Sequence, residues 1–299
     1  MNYIKFPNNF LELEDNLSNY GTSKVVILPI PYEKTTTYVK GTAKGPQAII
    51  NASRNIELYD EELGKEISNV GICTLNPLII DKNPEEMVND VFENVKELLD
   101  DNKFPIIIGG EHSITPGCVK AFADSHDDFS ILQLDAHADL REEYDGTKFS
   151  HACAMKRCLD ICKNIVQVGI RSLSYEESIF VKKNKLKIFW AKDIFDNDEW
   201  EEKAISNLSK DVYITFDLDV LDLSIMPSTG TPEPGGLRYY QVLRFLKNVF
   251  EKRNVVGFDV VELCPNVNNV SPDFTAAKII YKMIGYKFNN KNTINEKIS

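Results

Sequence analysis

Short apolar runs alternating with amphipathic stretches along a 299-residue chain predict an α/β fold, a mostly parallel sheet with helices on both faces. The runs are brief and rich in β-branched residues, as strands buried on both sides are. Three of them end in acidic or histidine-containing clusters, and in such sheets sites gather outside the carboxyl ends of the strands. With 43% hydrophobic residues the chain can bury one substantial core, so a single domain over 1–299 is expected, its core spanning about 24–288.

In chain order, Val25-Val26-Ile27-Leu28 reads as the first strand. Pro84 to Leu99 follows as a helix: Met87, Val88, Val91, Val95, Leu98 and Leu99 recur at near-helical spacing, and Pro84 with two glutamates forms the first turn. Phe104 to Ile108, Phe129 to Leu134 and Ile165 to Val168 read as buried strands, then Tyr175 to Lys185 as a helix and Leu186 to Trp190 as a strand. Glu199 to Leu208 (helix), Val212 to Phe216 (strand), Tyr239 to Phe250 (helix), Val255 to Val261 (strand) and Asp273 to Ile284 (helix) complete the alternation. Asn289 to Ser299 is polar and Asn/Lys-rich, a tail expected to fray or to reach a neighbouring subunit.

A formal net charge of −11 argues against nucleic-acid binding by general electrostatics and favours encounter with cations. The N-terminus lacks the basic-then-apolar pattern of a secretory signal and no apolar stretch is long enough to cross a bilayer, so a soluble cytoplasmic protein without membrane contact is expected. The six cysteines form no dense framework and are expected to stay reduced; Cys158 and Cys162, four residues apart, are expected to pack one helix face.

The strand-end clusters are Gly109-Gly110-Glu111-His112-Ser113, Asp135-Ala136-His137-Ala138-Asp139 and Asp217-Leu218-Asp219. Taken alone, Asp-x-Asp after a strand reads as a turn cap and a histidine after Gly-Gly-Glu as a turn residue. Together they suit two adjacent divalent metals. A carboxylate has two oxygens that can bridge, which gives Asp135 and Asp217 that role; His112 with Asp139 completes one shell and His137 with Asp219 the other. Extended backbone would bring the alternate positions of each motif to one side. A shell rich in carboxylate, free of thiolate and with one imidazole per metal suits Mn²⁺ better than structural zinc. Two close metals activate water near neutral pH, so hydrolysis is the chemistry implied.

With Ser150-His151, Gly169-Ile170-Arg171-Ser172, Gly230-Thr231-Pro232-Glu233-Pro234-Gly235-Gly236-Leu237 and Val260-Val261-Glu262-Leu263, these motifs resemble, in order from about Pro29 to Ile284, the ureohydrolase family of arginases, agmatinases, guanidinobutyrases and formiminoglutamases. The resemblance implies a three-layer α/β/α fold around an eight-stranded parallel sheet, two Mn²⁺ per chain and a homo-oligomer, trimer or hexamer. It places the metal ligands on His112, Asp135, His137, Asp139, Asp217 and Asp219, the proton shuttle on His151, and the carboxylate that grips a guanidinium on Glu262. A carboxylate matches the planar fork of a guanidinium by paired hydrogen bonds.

The resembled family leaves the substrate open among small cationic guanidino compounds, and agmatine leads. The Thr231 to Gly236 loop resembles its agmatinase version, while Arg141 and Phe149 stand where arginases carry asparagines that hold an amino-acid head. Glu142-Glu143-Tyr144-Asp145 is expected to attract a cationic tail; Arg141 favours instead a guanidino acid such as 4-guanidinobutyrate. Ile50, Ala152, Cys153 and Leu223 depart from the family pattern without removing a ligand. A one-zinc deacetylase-like hydrolase would carry a His-His pair, which is absent from the sequence, and a non-catalytic scaffold would have lost a ligand.

Overall fold

The computed structural model describes residues 1–289 apart from 196 and 198, so the expected tail beyond 289 lies outside the described residues. Among these, eight strands pair in parallel: β1 (Val25–Ile30), β2 (Ile72–Thr74), β3 (Phe104–Gly109), β4 (Phe129–Leu134), β5 (Ile165–Ile170), β6 (Lys187–Trp190), β7 (Asp211–Asp217) and β8 (Asn254–Val261). Their order across the sheet is β2-β1-β3-β8-β7-β4-β5-β6.

Alternation along each strand divides the apolar residues between two cores. Val25 and Ile27 of β1, Ile106 and Ile108 of β3, and Val212, Ile214 and Phe216 of β7 face one side. There they meet α1 (Gly45–Ser53), α6 (Trp200–Ser206), α7 (Tyr239–Lys252) and α8 (Ser271–Lys287). Val26, Leu28, Ile107, Ile131 and Tyr213 face the other side, against α2 (Pro84–Asp100), α3 (Thr115–Ser125), α4 (Ala154–Ile161) and α5 (Tyr175–Asn184). The result is the three-layer α/β/α architecture with eight parallel strands that the family resemblance implied. Each fully buried Ile or Phe in these layers contributes about 1.5–3 kcal/mol relative to an exposed one.

The helix expected from Pro84 begins there, with Asn83 as N-cap accepting the Glu86 N–H at 3.0 Å. α5 starts on a capping box in which Ser174 and Glu177 exchange hydrogen bonds. Cys158 lies on α4, whereas Cys162 caps its end, donating its N–H to the Cys158 carbonyl; both are buried, but they do not share a helix face. On the face of α8, buried Lys282 reaches Asp60 at 3.0 Å, Glu61 at 3.1 Å and Glu62 at 3.2 Å, tying the last helix to the Tyr59–Asp60 and Lys65–Glu66 hairpin. No helix among the described residues is long and apolar enough to cross a membrane.

Candidate metal centre and active-site cavity

The four central strands, β3-β8-β7-β4, deliver the site from their carboxyl ends: His112 after β3, Glu262 after β8, Asp217 and Asp219 from β7, and Asp135, His137 and Asp139 after β4. The turn after β3 needs glycine, because a Cβ on Gly110 would lie 2.1 Å from the Tyr32 carbonyl oxygen. Gly110 accepts the Glu262 N–H at 2.8 Å, and Glu262 in turn accepts the His112 N–H at 2.7 Å.

His112 Nδ1 stands 3.2 Å from Asp135, 3.0 Å from Asp139 and 3.5 Å from Asp217. His137 Nδ1 stands 2.8 Å from Asp219 and 3.7 Å from Asp135. Among the described residues two groups could hold a metal ion, His112-Asp135-Asp139 and Asp135-His137-Asp219, and they share Asp135. Asp217 belongs to neither group, and the imidazole it approaches is that of His112. Each Asp-x-Asp or Asp-x-His motif also caps itself: Asp217 Oδ1 accepts the Asp219 N–H at 2.9 Å and Asp135 Oδ1 accepts the His137 N–H at 2.5 Å.

The backbone route to this convergence differs from the extended one expected. Asp139 has φ 52° and Leu218–Val220 forms a 3-10 turn, so turns rather than alternation gather the side chains. Glu262 also sits in the left-handed region, at φ 67°. Such backbone costs of order 1–3 kcal/mol per residue and persists where the surroundings over-determine it.

The donor set fits divalent cations on structural grounds. His112 Nδ1 is a buried nitrogen with no hydrogen-bond partner, although three carboxylates point at it. Its other nitrogen lies 2.8 Å from Thr215 Oγ1, whose proton goes to Asp259 at 2.7 Å; the threonine therefore accepts from Nε2–H and leaves the Nδ1 lone pair facing the acids. Burial and the charges of Asp219 and Asp135 drive the Asp217 carboxyl well above its ordinary value, and burial with the Asp135 charge pushes Asp139 up to about 7. Burial favours a neutral His137, yet Asp219 and Asp135 hold it protonated up to about 12. Four carboxylates against two imidazoles leave this cluster short of positive charge.

The cluster opens into a cavity of about 320 Å³ whose lining includes His137, Asp139, Arg141, Tyr144, His151, Glu177, Glu233 and Glu262. His151 hangs on a relay from buried Glu111. Glu111 accepts the Thr35 hydroxyl at 2.7 Å, and the Thr35 oxygen lies 3.2 Å from His151 Nδ1 and accepts the His151 N–H at 2.9 Å. With its proton on Glu111, Thr35 can only accept from the ring, so Nδ1 carries the hydrogen and Nε2 keeps its lone pair. Burial lowers His151 to about 4. Glu262 is pushed up to about 8 by burial, which the His112 N–H opposes.

The Arginase family matches residues 23–285. This chain belongs to that family. It is 39% identical to N(1)-aminopropylagmatine ureohydrolase of Synechocystis over 94% of each chain, and 33% identical to the agmatinase of Pyrococcus horikoshii over 87% of this chain and 90% of that one. Among solved structures it is similar to the agmatine ureohydrolase of Thermoplasma volcanium, with a TM-score of 0.86, 32% identity and 94% of each chain covered. The arginase-family chain is thus a hydrolytic enzyme.

Within the 142–145 stretch, Glu142 pairs with Lys156 at 2.8 Å and Arg157 at 3.0 Å, and Tyr144 is the residue that lines the cavity. Arg141 stacks on Tyr144, 4.8 Å from the ring centroid, and lies 3.9 Å from Glu177. Thr35, Glu111, Glu177 and Thr215 were not legible as site residues, since each acts through a partner distant in sequence; a carboxylate inside the Gly-Gly-Glu-His motif was the one available signal.

Proposed function

We propose that this chain hydrolyses a small cationic guanidino compound to urea and an amine, with agmatine as the leading substrate and putrescine the amine product, and with two Mn²⁺ ions held by His112, Asp135, His137, Asp139, Asp217 and Asp219. The observation that carries this reading is the pair of imidazole-carboxylate groups sharing Asp135 beside a cavity that also presents Glu262. Carboxylate-rich donors favour Mn²⁺ over structural zinc. Metal bound there supplies one thing, the acidification of water to a pKa of roughly 7.

The chain's own residues do the rest. Glu262 holds the guanidinium by paired hydrogen bonds, and the bound cation supplies the countercharge that this buried carboxylate needs. Asp139 accepts a hydrogen bond from the attacking water and aims its oxygen at the guanidinium carbon. A neutral tetrahedral intermediate forms; the bond from carbon to the tail nitrogen breaks, and that nitrogen leaves as an amine. His151, with Nε2 free, carries the water-derived proton to it. Urea and a protonated amine result, balancing one water against one guanidinium.

A second reading has specific support. The relative at 39% identity bears the name N(1)-aminopropylagmatine ureohydrolase, so agmatine extended by an aminopropyl group is the alternative substrate. Arg141 gives less support to 4-guanidinobutyrate, because its guanidinium already stacks on Tyr144 and faces Glu177. Urea release from agmatine, N(1)-aminopropylagmatine, arginine and 4-guanidinobutyrate, assayed with Mn²⁺, tests the proposal. Agmatine should lead; preference for either acid would overturn the substrate, and urea from none would overturn the chemistry.

A further inference from the structure

We propose that Glu233 selects for guanidines with a cationic tail by receiving the tail's ammonium group; this deepens the ureohydrolase reading above and rests on it. Five carboxylates line the cavity, and four are already committed. Asp139 and Asp217 face His112. Glu262 accepts the His112 N–H, and Glu177 accepts the N–H groups of Leu140 at 2.8 Å and Ser174 at 2.6 Å. Glu233 is different. Among the described residues its carboxylate accepts no hydrogen bond, and its one ionic contact is His137 Nε2 at 4.0 Å. It is also partly open to solvent, at 36% side-chain exposure, so an incoming cation can reach it.

The loop that carries Glu233 is held from below. Arg171 donates through Nη2 to the Glu233 carbonyl at 2.8 Å and the Asp219 carbonyl at 2.7 Å, and through Nε to the Pro234 carbonyl at 3.0 Å. Pro232 and Pro234 fix φ on either side of Glu233. Gly236 packs so closely that a Cβ there would lie 2.4 Å from the Leu221 carbonyl carbon. One arginine thus ties the loop to the strand end that bears Asp219. A carboxylate on so stiff a support loses little freedom when it captures a ligand. It attracts an ammonium tail and repels a carboxylate tail, which separates agmatine-like substrates from guanidino acids.

The competing role for Glu233 is to orient the His137 ring, and the test separates the two. The full-length, Mn²⁺-loaded protein and its Glu233→Gln variant are assayed with agmatine and with n-butylguanidine, which is agmatine with hydrogen in place of the ammonium group. Metal content is measured alongside, and circular dichroism verifies folding, with Glu233→Ala as a second variant. Glu233→Gln should raise KM for agmatine about tenfold more than for n-butylguanidine, the scale of a charge-assisted hydrogen bond, with metal content unchanged. Equal shifts with both guanidines, loss of metal, or no shift would overturn the assignment. Urea from neither guanidine with the unsubstituted protein would overturn the hydrolytic reading and this inference with it, before any variant is compared.

Discussion

Thr215 Oγ1 lies 2.8 Å from His112 Nε2, and that contact decides which edge of the imidazole meets the carboxylates. The threonine is itself oriented by Asp259, which accepts its proton at 2.7 Å and the Tyr213 hydroxyl at 2.6 Å. Replacing Thr215 with Val keeps the shape and removes the acceptor, so the ring can turn or change tautomer. Manganese affinity should fall about 10–100-fold in Thr215→Val and largely return in Thr215→Ser. Titration of Mn²⁺ into metal-stripped protein reads this directly, and equal affinities would remove the threonine's role.

Asp135 is common to both groups that could hold a metal ion, whereas Asp219 belongs to one. Asp135→Ala should empty both positions and Asp219→Ala mainly one, as read by elemental analysis of the purified variants. Because the cluster's four carboxylates outnumber its two imidazoles, chelation of the unsubstituted protein should lower its Tm and Mn²⁺ should restore it. A Tm indifferent to chelator would count against metal at this site.

His151 reaches buried Glu111 through the single hydroxyl of Thr35. His151→Asn should cut kcat about a hundredfold or more while leaving bound manganese nearly unchanged. Thr35→Val should reproduce part of that loss, because the ring then loses the hydroxyl nearest its Nδ1 and keeps only Ser150 Oγ at 3.4 Å, and Thr35→Ser should recover it. Steady-state kinetics with metal analysis makes the comparison, and full activity in His151→Asn would remove the shuttle.

Lys282 binds Asp60, Glu61 and Glu62 from a side chain only 3% exposed, opposite an Asp60 that is fully buried. Lys282→Met leaves that carboxylate without its cation and should cost about 3–5 kcal/mol of stability in denaturant unfolding. The pH dependence has a definite sign. Burial opposes the charge on Lys282, but its three acids raise its pKa above the ordinary 10.5; its contribution is therefore complete below 10.5 and is lost as pH rises through the folded value. Burial would raise Glu62, yet Lys247, Tyr286 and Lys282 lower it below 4.5, so its contribution is present above 4.5 and is lost as pH falls through the folded value. The stability gap between the native protein and Lys282→Met should be level between these limits and close outside them.

Most of the sheet was legible because its strands are short, apolar and bounded by breaks, from Val25 in β1 to Val261 in β8. β2 escaped notice: Ile72–Thr74 is three residues long, and only its place beside β1 makes it a strand. The sequence pattern gives no sign of α1 or α3, and of α4 only the spacing of Cys158 and Cys162. α3 opens Thr-Pro-Gly-Cys, with small residues where a Cβ on Gly117 would meet the Val88 carbonyl oxygen at 2.6 Å, so close packing on α2 rather than helical propensity explains the composition. At the site, chemistry-bearing residue types were visible in their motifs. Which oxygen faces which nitrogen was not, because turns at Asp139 and Leu218 set it, together with hydroxyls supplied from Thr35 and Thr215.

The sheet order carries a consequence for how the protein is made. β8 lies between β3 and β7, so it separates His112 from every aspartate it faces and is the last of these eight strands in chain order. A nascent chain that ends before Asn254 holds all six donors yet has a gap where the middle of the sheet belongs. Capture of a cation by the full set would therefore await insertion of β8, and tight metal retention would signal that the middle of the sheet has closed.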